Sequence, residues 1–255
     1  MTNRWVDVDG LHNARDLGGV PLKGGGTTAF GVVLRGETVV HLTADGVEQL
    51  RSHGVRHVLD LREPDERELD GDGLLAAAYQ RSDVLHEAVP LARSEVSTDP
   101  IGRVHDAETI AARYAAYLDN GGFRLADALA RTAWSRSALY VHCAVGKDRT
   151  GVVSALLLKL AGADDDAVVQ DHLLTAQRLV PVLMRLGSRP AYAHLATPDW
   201  PAQQPSAEAM RLFLAHLRSR GGAAHWLLDR GVDSETLRLL VARLAGDNLG
   251  ARRVG

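Results

Sequence analysis

One cysteine, Cys143, ends a short apolar run, Ala138 to Val141 (ALYV), extended by His142. An arginine, Arg149, follows it with five residues between. The segment reads His142-Cys143-Ala144-Val145-Gly146-Lys147-Asp148-Arg149-Thr150-Gly151 and leads into Val152 to Ala161, which is apolar nearly all round. A strand, a tight loop and a buried helix are the expected elements. Such a loop curls its backbone N–H groups around a tetrahedral anion, and the helix N-terminus adds roughly half a positive charge. A free cysteine titrates near ~8.5, and surroundings of this kind lower that to about 3.5–7.5. A thiolate so held is nucleophilic at neutral pH without a separate base.

The planar fork of Arg149 matches two oxygens of a phosphate and faces the charge on the equatorial oxygens of a transferring phosphoryl group. The expected phosphate-binding residues are Ala144, Val145, Gly146, Lys147, Asp148, Arg149 and Thr150. Gly146 permits a bend that a side chain would obstruct. Thr150 can donate its hydroxyl to the sulfur as it departs, and Lys147 and Asp148 bring charge to the rim. His142 is expected to hydrogen-bond behind the loop and orient Cys143 rather than act as a base. The ordinary alternative for a lone cysteine is packing as a small hydrophobe. The preceding His, the Gly at the bend, the following Thr-Gly and the strand–loop–helix setting weigh against it.

The elements that must position this loop are legible from pattern. Val32 to Leu34 and Arg56 to Leu61 read as short buried strands. Between them a helix starts after Thr43, a good N-cap, and is closed by Gly54. Strand, helix and strand with short connections predict an α/β fold, a central mostly parallel sheet flanked by helices, with a helical C-terminal part. Ile110, Tyr114 and Tyr117 share a helix face, Asn120-Gly121-Gly122 breaks it, and a second helix runs from Phe123 to Trp134 with Leu125 and Leu129 inward. A helix is expected from Asp165 to Leu179, with Val169, Leu173, Ala176 and Val180 on one face. Pro181 to Pro205 holds five of the chain's 9 Pro, so no unbroken helix crosses it. It reads as a surface excursion or as a lid over the site, offering Tyr192 and Trp200. Met210 to Leu217 and Leu237 to Leu244 mark two more helices, the last capped by Asp233 or Ser234. Ala92 to Asp106 reads as a surface loop, and Gly246 to Gly255 as a frayed end.

Composition bounds the rest. The 255 residues, 45% hydrophobic and 24% charged, suffice for one domain over 1–255. A formal net charge of -3 gives nucleic acid no global attraction. With 1 Cys there is no intramolecular disulfide, and Met1 to Gly10 lacks the apolar core of a signal peptide. No apolar run is long enough to span a bilayer. A cytoplasmic protein without integral membrane association is expected. The 11 His include no HExxH and no tight His/Asp cluster, so no metal and no cofactor is expected. Oligomeric state is not legible.

The segment HCAVGKDRTG resembles the protein tyrosine phosphatase signature HC-x5-R-[ST], in the form used by the bacterial atypical, tyrosine/serine dual-specificity branch. Other segments are similar to that branch in the same order: Asn13-Ala14-Arg15-Asp16-Leu17-Gly18-Gly19, Leu34-Arg35-Gly36, Asp60-Leu61-Arg62 with Glu66, Gln170-Asp171-His172-Leu173-Leu174, and Gly221-Gly222 through Gly231-Val232. Gly36 stands where the branch has a hydroxyl residue, and His172 and Thr175 also depart from its pattern. The resemblance implies attack of Cys143 on phosphorus, then hydrolysis of the thiophosphate, on a phosphorylated protein. The leaving oxygen needs a proton. Asp60, at the C-terminal end of a predicted parallel strand, and Asp148, inside the loop, are equal candidates for that acid, each against a structural reading, in which Asp148 shapes the loop by accepting backbone hydrogen bonds. Asp16 and Arg62 are supporting residues, Asp16 pairing with Arg15 or Arg62 or shaping a turn. The same chemistry would serve a small-molecule or lipid phosphate ester (nucleotide, sugar or inositol phosphate). A redox role of the arsenate-reductase kind needs further thiols, and a non-catalytic phosphate-binding module would not need Cys143 and Arg149 together.

Overall fold

The β-branched and apolar runs form the middle of a five-stranded sheet in a computed structural model that describes residues 3–81, 83–91 and 106–246. In chain order the elements are β1 (Arg15–Asp16), β2 (Val33–Gly36), α1 (Ala44–Ser52), β3 (Val55–Asp60), α2 (Pro64–Asp70), α3 (Leu75–Gln80), β4 (Leu85–Ala88), α4 (Ala107–Trp134), β5 (Ala138–His142), α5 (Asp148–Ala161), α6 (Asp165–Leu173), α7 (Leu179–Leu186), α8 (Trp200–Gln203), α9 (Ala207–Ser219), α10 (Gly222–Leu228) and α11 (Ser234–Ala245). The strand order is β1-β2-β5-β3-β4, parallel throughout except for the β1–β2 pair. This is the expected mostly parallel α/β architecture with a helical C-terminal part.

β5 is central and buried along its whole length, which is why it reads as an unbroken apolar run. Its alternate residues serve two cores. Leu139 and Val141 pack with Leu59, Leu129, Val152, Leu156 and Phe213, whereas Ala138 and Tyr140 pack with Leu34, Val47, Leu50, Val58 and Leu75. The register sets Gly36, His142 and Asp60 side by side at the C-terminal ends of β2, β5 and β3. That edge is where open α/β sheets bind ligands.

Local signals largely hold. Thr43 Oγ1 accepts from Gly46 N–H at 3.0 Å, and Asp233 caps α11 by accepting from Thr236 N–H at 2.8 Å. The break in α4 falls at Gly122, whose φ of 43° and ψ of -135° are non-helical. The helix expected to reach Leu179 ends instead at Leu173 and passes through a 3-10 stretch, Leu174–Arg178. Three residues per turn shift the buried phase, so Ala176 and Val180 face solvent and Leu179, Val182, Leu183 and Leu186 turn inward. The Pro-rich stretch contains α7, a 3-10 turn over Pro190–Leu195 and α8. Pro181 sits in the first turn of α7, where no N–H bond is lost. Of the two remaining expectations, the Ala92 to Asp106 loop up to residue 105 and the end beyond Gly246 lie outside the described residues. Among those described, no helix is long and apolar enough to cross a membrane.

Candidate active site

Cys143 lies one residue past β5 and is 3% exposed. The chain then turns over Ala144, Val145, Gly146 and Lys147 and enters α5 at Asp148, so Asp148, Arg149 and Thr150 form its first turn. Gly146 has φ of 76°, and a Cβ there would stand 2.4 Å from the backbone of Gly36. The loop is pressed against the end of β2. Gly36 is constrained in turn, because its own Cβ would meet the Tyr140 hydroxyl at 2.2 Å. A hydroxyl residue at this position would meet both that hydroxyl and Asn13 O, at 2.7 Å from its Cβ.

The structure brings Ala144, Val145, Gly146, Lys147, Arg149 and Thr150 together around Cys143. Each of the four loop carbonyls from Cys143 to Gly146 has a donor. His142 Nδ1 reaches Cys143 O at 3.2 Å, Thr38 N–H donates to Ala144 O at 3.0 Å, Asn13 Nδ2 to Val145 O at 2.8 Å, and Arg35 Nη2 to Gly146 O at 2.7 Å. Among the described residues the N–H groups of Ala144 to Lys147 have no acceptor. Thr150 Oγ1 is buried and likewise without a partner there.

Arg149 is buried and its fork is held by Glu66, with Nη2 to Oε1 at 2.8 Å and Nη1 bonded to Oε2. Nη1 also donates to Leu61 O at 3.3 Å. Glu66 is placed by its capping-box position in α2, where Oε2 accepts from Glu63 N–H at 2.7 Å. His142 is fully buried behind the loop, and burial pushes its imidazole down to about 4.

The two acid candidates fall in opposite settings. Asp60 has no exposure and is clasped by Arg62, with Nη2 to Oδ2 at 2.6 Å and Nε to Oδ1 at 3.0 Å. Burial would raise its carboxyl, yet His142, His86 and Arg62 together hold it well below the usual range. Asp148 keeps 32% of its side chain exposed at the mouth and accepts from the Tyr114 hydroxyl at 2.6 Å. Burial of the carboxyl is outweighed by Lys147, Arg113 and that hydroxyl, which leave it below its ordinary value. Arg62 serves Asp60, Asp72 and the carbonyl of Gly71. Asp16 takes the turn role: its two oxygens accept from Gly18 N–H at 2.7 Å and Gly31 N–H at 2.8 Å, and it pairs with neither Arg15 nor Arg62.

Arg15 instead joins a buried cluster that sequence reasoning missed. Asp171 of α6 binds Arg4 at 2.8 Å, Arg15 at 3.2 Å and Arg35 at 2.7 Å. Arg15 also donates to Asn13 Oδ1 at 3.0 Å and Thr175 Oγ1 at 3.3 Å. Glu66, Asn13, Arg35 and Asp171 all lie in segments whose motifs are visible in the sequence. The signal that could have singled out Arg35 is a charge inside a buried strand, which requires a buried partner. The atoms of Asp60, Asp72 and His86 come within 4.8 Å of one another, a His/Asp grouping hidden in linear order. Its acidity is answered by Arg62 and Arg67, each of which pairs with both Asp60 and Asp72.

The segment 181–205 packs over this site. Leu179, Val182, Leu183, Leu186, Tyr192 and Leu195 cluster with Ala144. Arg185 reaches Glu37 at 3.2 Å, Arg189 pairs with Asp70, and Lys147 Nζ donates to Gln203 O at 2.7 Å.

Comparison with known proteins identifies a family. Residues 6–246 match the profile of the tyrosine phosphatase family. A protein of Cupriavidus necator carrying a provisional tyrosine-protein phosphatase name is 32% identical over 176 residues, 67% of this chain and 62% of that protein. The match therefore spans less than two thirds of that relative's length. A tyrosine-protein phosphatase of Nostoc commune is 27% identical over 213 residues, 80% of this chain and 70% of its own.

Proposed function

We propose that this chain, which belongs to the tyrosine phosphatase family, hydrolyses phosphate monoesters through a phospho-cysteine intermediate, with phosphorylated protein of the tyrosine/dual-specificity kind as its substrate. The observation that carries the reading is the loop after β5, where a buried thiol, acceptor-free N–H groups and the Arg149 fork converge. The Cys143 thiolate attacks phosphorus in line, the P–O ester bond breaks, and Asp148 gives the leaving oxygen its proton. Water then attacks phosphorus, the S–P bond breaks, Asp148 takes the proton of that water, and Thr150 supports the departing thiolate. The loop N–H groups and Arg149 answer the charge of the equatorial oxygens throughout.

Asp148 is preferred to Asp60 as the acid because it reaches the mouth of the site, while Asp60 is enclosed and ion-paired. The chain acts as one domain over 1–255, and the segment 181–205 serves as the lid through Arg185, Arg189 and Gln203. A reducing compartment, the cytoplasm, suits a free nucleophilic thiol.

The test is metal-free phosphate release from p-nitrophenyl phosphate, phosphotyrosine and phosphoserine peptides, phosphoinositides and nucleotides, with Cys143→Ser beside wild type. Release in EDTA that disappears in Cys143→Ser is expected, with phosphopeptides preferred. A preference for nucleotide, sugar or lipid esters would transfer the same chemistry to those substrates. Binding of phosphate analogues without turnover would mean a binding module and sink the enzyme reading.

A further inference from the structure

The four loop carbonyls are held by four residues, His142, Thr38, Asn13 and Arg35, and a planar trans peptide makes this consequential. Within each peptide unit the carbonyl of one residue points opposite to the N–H of the next. Anchoring Val145 O on Asn13 Nδ2 therefore aims Gly146 N–H the other way, and anchoring Gly146 O on Arg35 Nη2 does the same for Lys147 N–H. Neither N–H has an acceptor among the described residues. The Ala144 and Cys143 carbonyls are held by a backbone N–H and by the neighbouring His142. The last two peptides depend instead on side chains that arrive from outside β5 and the loop.

Those side chains are themselves fixed. Asn13 accepts from Arg15 through Oδ1, which leaves its NH2 group turned toward Val145. Arg35 is aligned by Asp171 Oδ2 at 2.7 Å on one nitrogen while the other serves Gly146. Arg15, Arg35 and Asp171 are fully or almost fully buried. Three guanidinium groups, with Arg4, share the single carboxylate of Asp171, so two positive charges in this cluster are not compensated by it. Burial and the charge of Arg35 lower Arg15 to about 9, the mark of a crowded cation.

We propose that Asn13 and Arg35, with Asp171 aligning Arg35, are positioning residues that turn the N–H groups of Gly146 and Lys147 toward the substrate phosphate, and that the buried surplus of positive charge behind the loop is matched by the phosphate dianion. This rests on the phosphatase reading above. The cluster acts through the loop and touches no reacting atom.

The test uses the full chain with p-nitrophenyl phosphate as substrate and orthovanadate as the oxyanion probe. Asn13→Asp is nearly isosteric and keeps the acceptor for Arg15, but it replaces the donor facing Val145 O with an acceptor. Arg35→Lys keeps the charge and loses the fork, and Arg35→Met loses both. Asn13→Asp should raise the vanadate inhibition constant tenfold or more, with a parallel fall in kcat/KM. Arg35→Lys should show a smaller rise than Arg35→Met. Inhibition constants do not depend on the fraction of active molecules, so a purely structural role would lower Tm and leave them unmoved. If Asn13→Asp and Arg35→Lys are folded and bind vanadate within twofold of wild type, the proposal is overturned. A wild type that neither turns over esters nor binds vanadate would overturn the phosphatase reading, and this proposal with it.

Discussion

At the scale of single residues, the carboxylates of Glu66 and Asp148 stand in different settings, one against Arg149 and one part-exposed. Glu66 is buried and spends both oxygens on the Arg149 fork. Glu66→Ala leaves a buried guanidinium unpaired, which costs about 3–5 kcal/mol when such a pair is broken. We expect that loss in urea denaturation together with a fall in kcat of roughly 10²-fold, the usual effect of a misplaced catalytic group. A loss of stability with kcat retained would mean that Arg149 is oriented by Leu61 O alone. Asp148 is the other case. Its replacement by Asn should reduce hydrolysis of an alkyl ester such as phosphoserine by about 10²–10⁴, the usual contribution of a general acid. Hydrolysis of p-nitrophenyl phosphate should suffer far less, because its leaving group needs no proton. Equal losses on both esters would assign Asp148 to shaping the loop through Tyr114.

At the scale of elements, the active loop is a joint between β2 and β5 as much as a property of its own residues. Gly146 has φ of 76°, and a Cβ built on it would stand 2.4 Å from the backbone of Gly36. Gly146→Ala meets two penalties, about 1–2 kcal/mol for a left-handed residue with a Cβ and a clash of that Cβ with the backbone of Gly36. Lower Tm and loss of vanadate binding are expected together. Retained binding would show that the loop can shift away from β2 without losing its shape. The packing of segment 181–205 is an element-scale feature of the same kind. The 3-10 stretch at Leu174–Arg178 rotates the chain so that α7 turns Leu179, Val182, Leu183 and Leu186 toward Ala144. A continuous α-helix would have sent a different face inward.

At the scale of the whole molecule, the buried titratable groups predict how stability follows pH. Burial pushes His142 down to about 4 and His172 down to about 3, whereas in the unfolded chain both titrate near about 6.5. Below that value the unfolded state takes up protons that the folded state refuses. Their contribution is therefore complete above about pH 6.5 and is lost as pH falls toward the folded values. For His142 the full effect is on the order of 3 kcal/mol, at about 1.36 kcal/mol per unit. Asp60 and Asp171 are held below the carboxylate range, Asp171 by its three arginines against the cost of burial, so they stabilise the fold until pH falls below about 3.9. The urea midpoint should thus drop between pH 7 and pH 4.5, and His172→Asn should make that drop shallower. A midpoint that does not move over this range would refute the assignment of buried neutral histidines.

The sequence by itself determined the strand–loop–helix setting of the Cys143 loop and the class of fold. Both are local: a strand, a loop of fixed length and a helix can be read from consecutive residues, as can the caps at Thr43 and Asp233. It also contained Asn13, Arg35, Glu66 and Asp171, but only as letters in short motifs. Which of them meet depends on bringing together chain positions as far apart as Arg15 and Asp171, or Glu66 and Arg149. A buried charge announces that it needs a partner but not which partner, and pairing is settled by packing in three dimensions. The same reason separates Asp60 from Asp148. Both are aspartates at the expected edge of the sheet, and only the tertiary structure encloses one among arginine and histidine and leaves the other at the mouth.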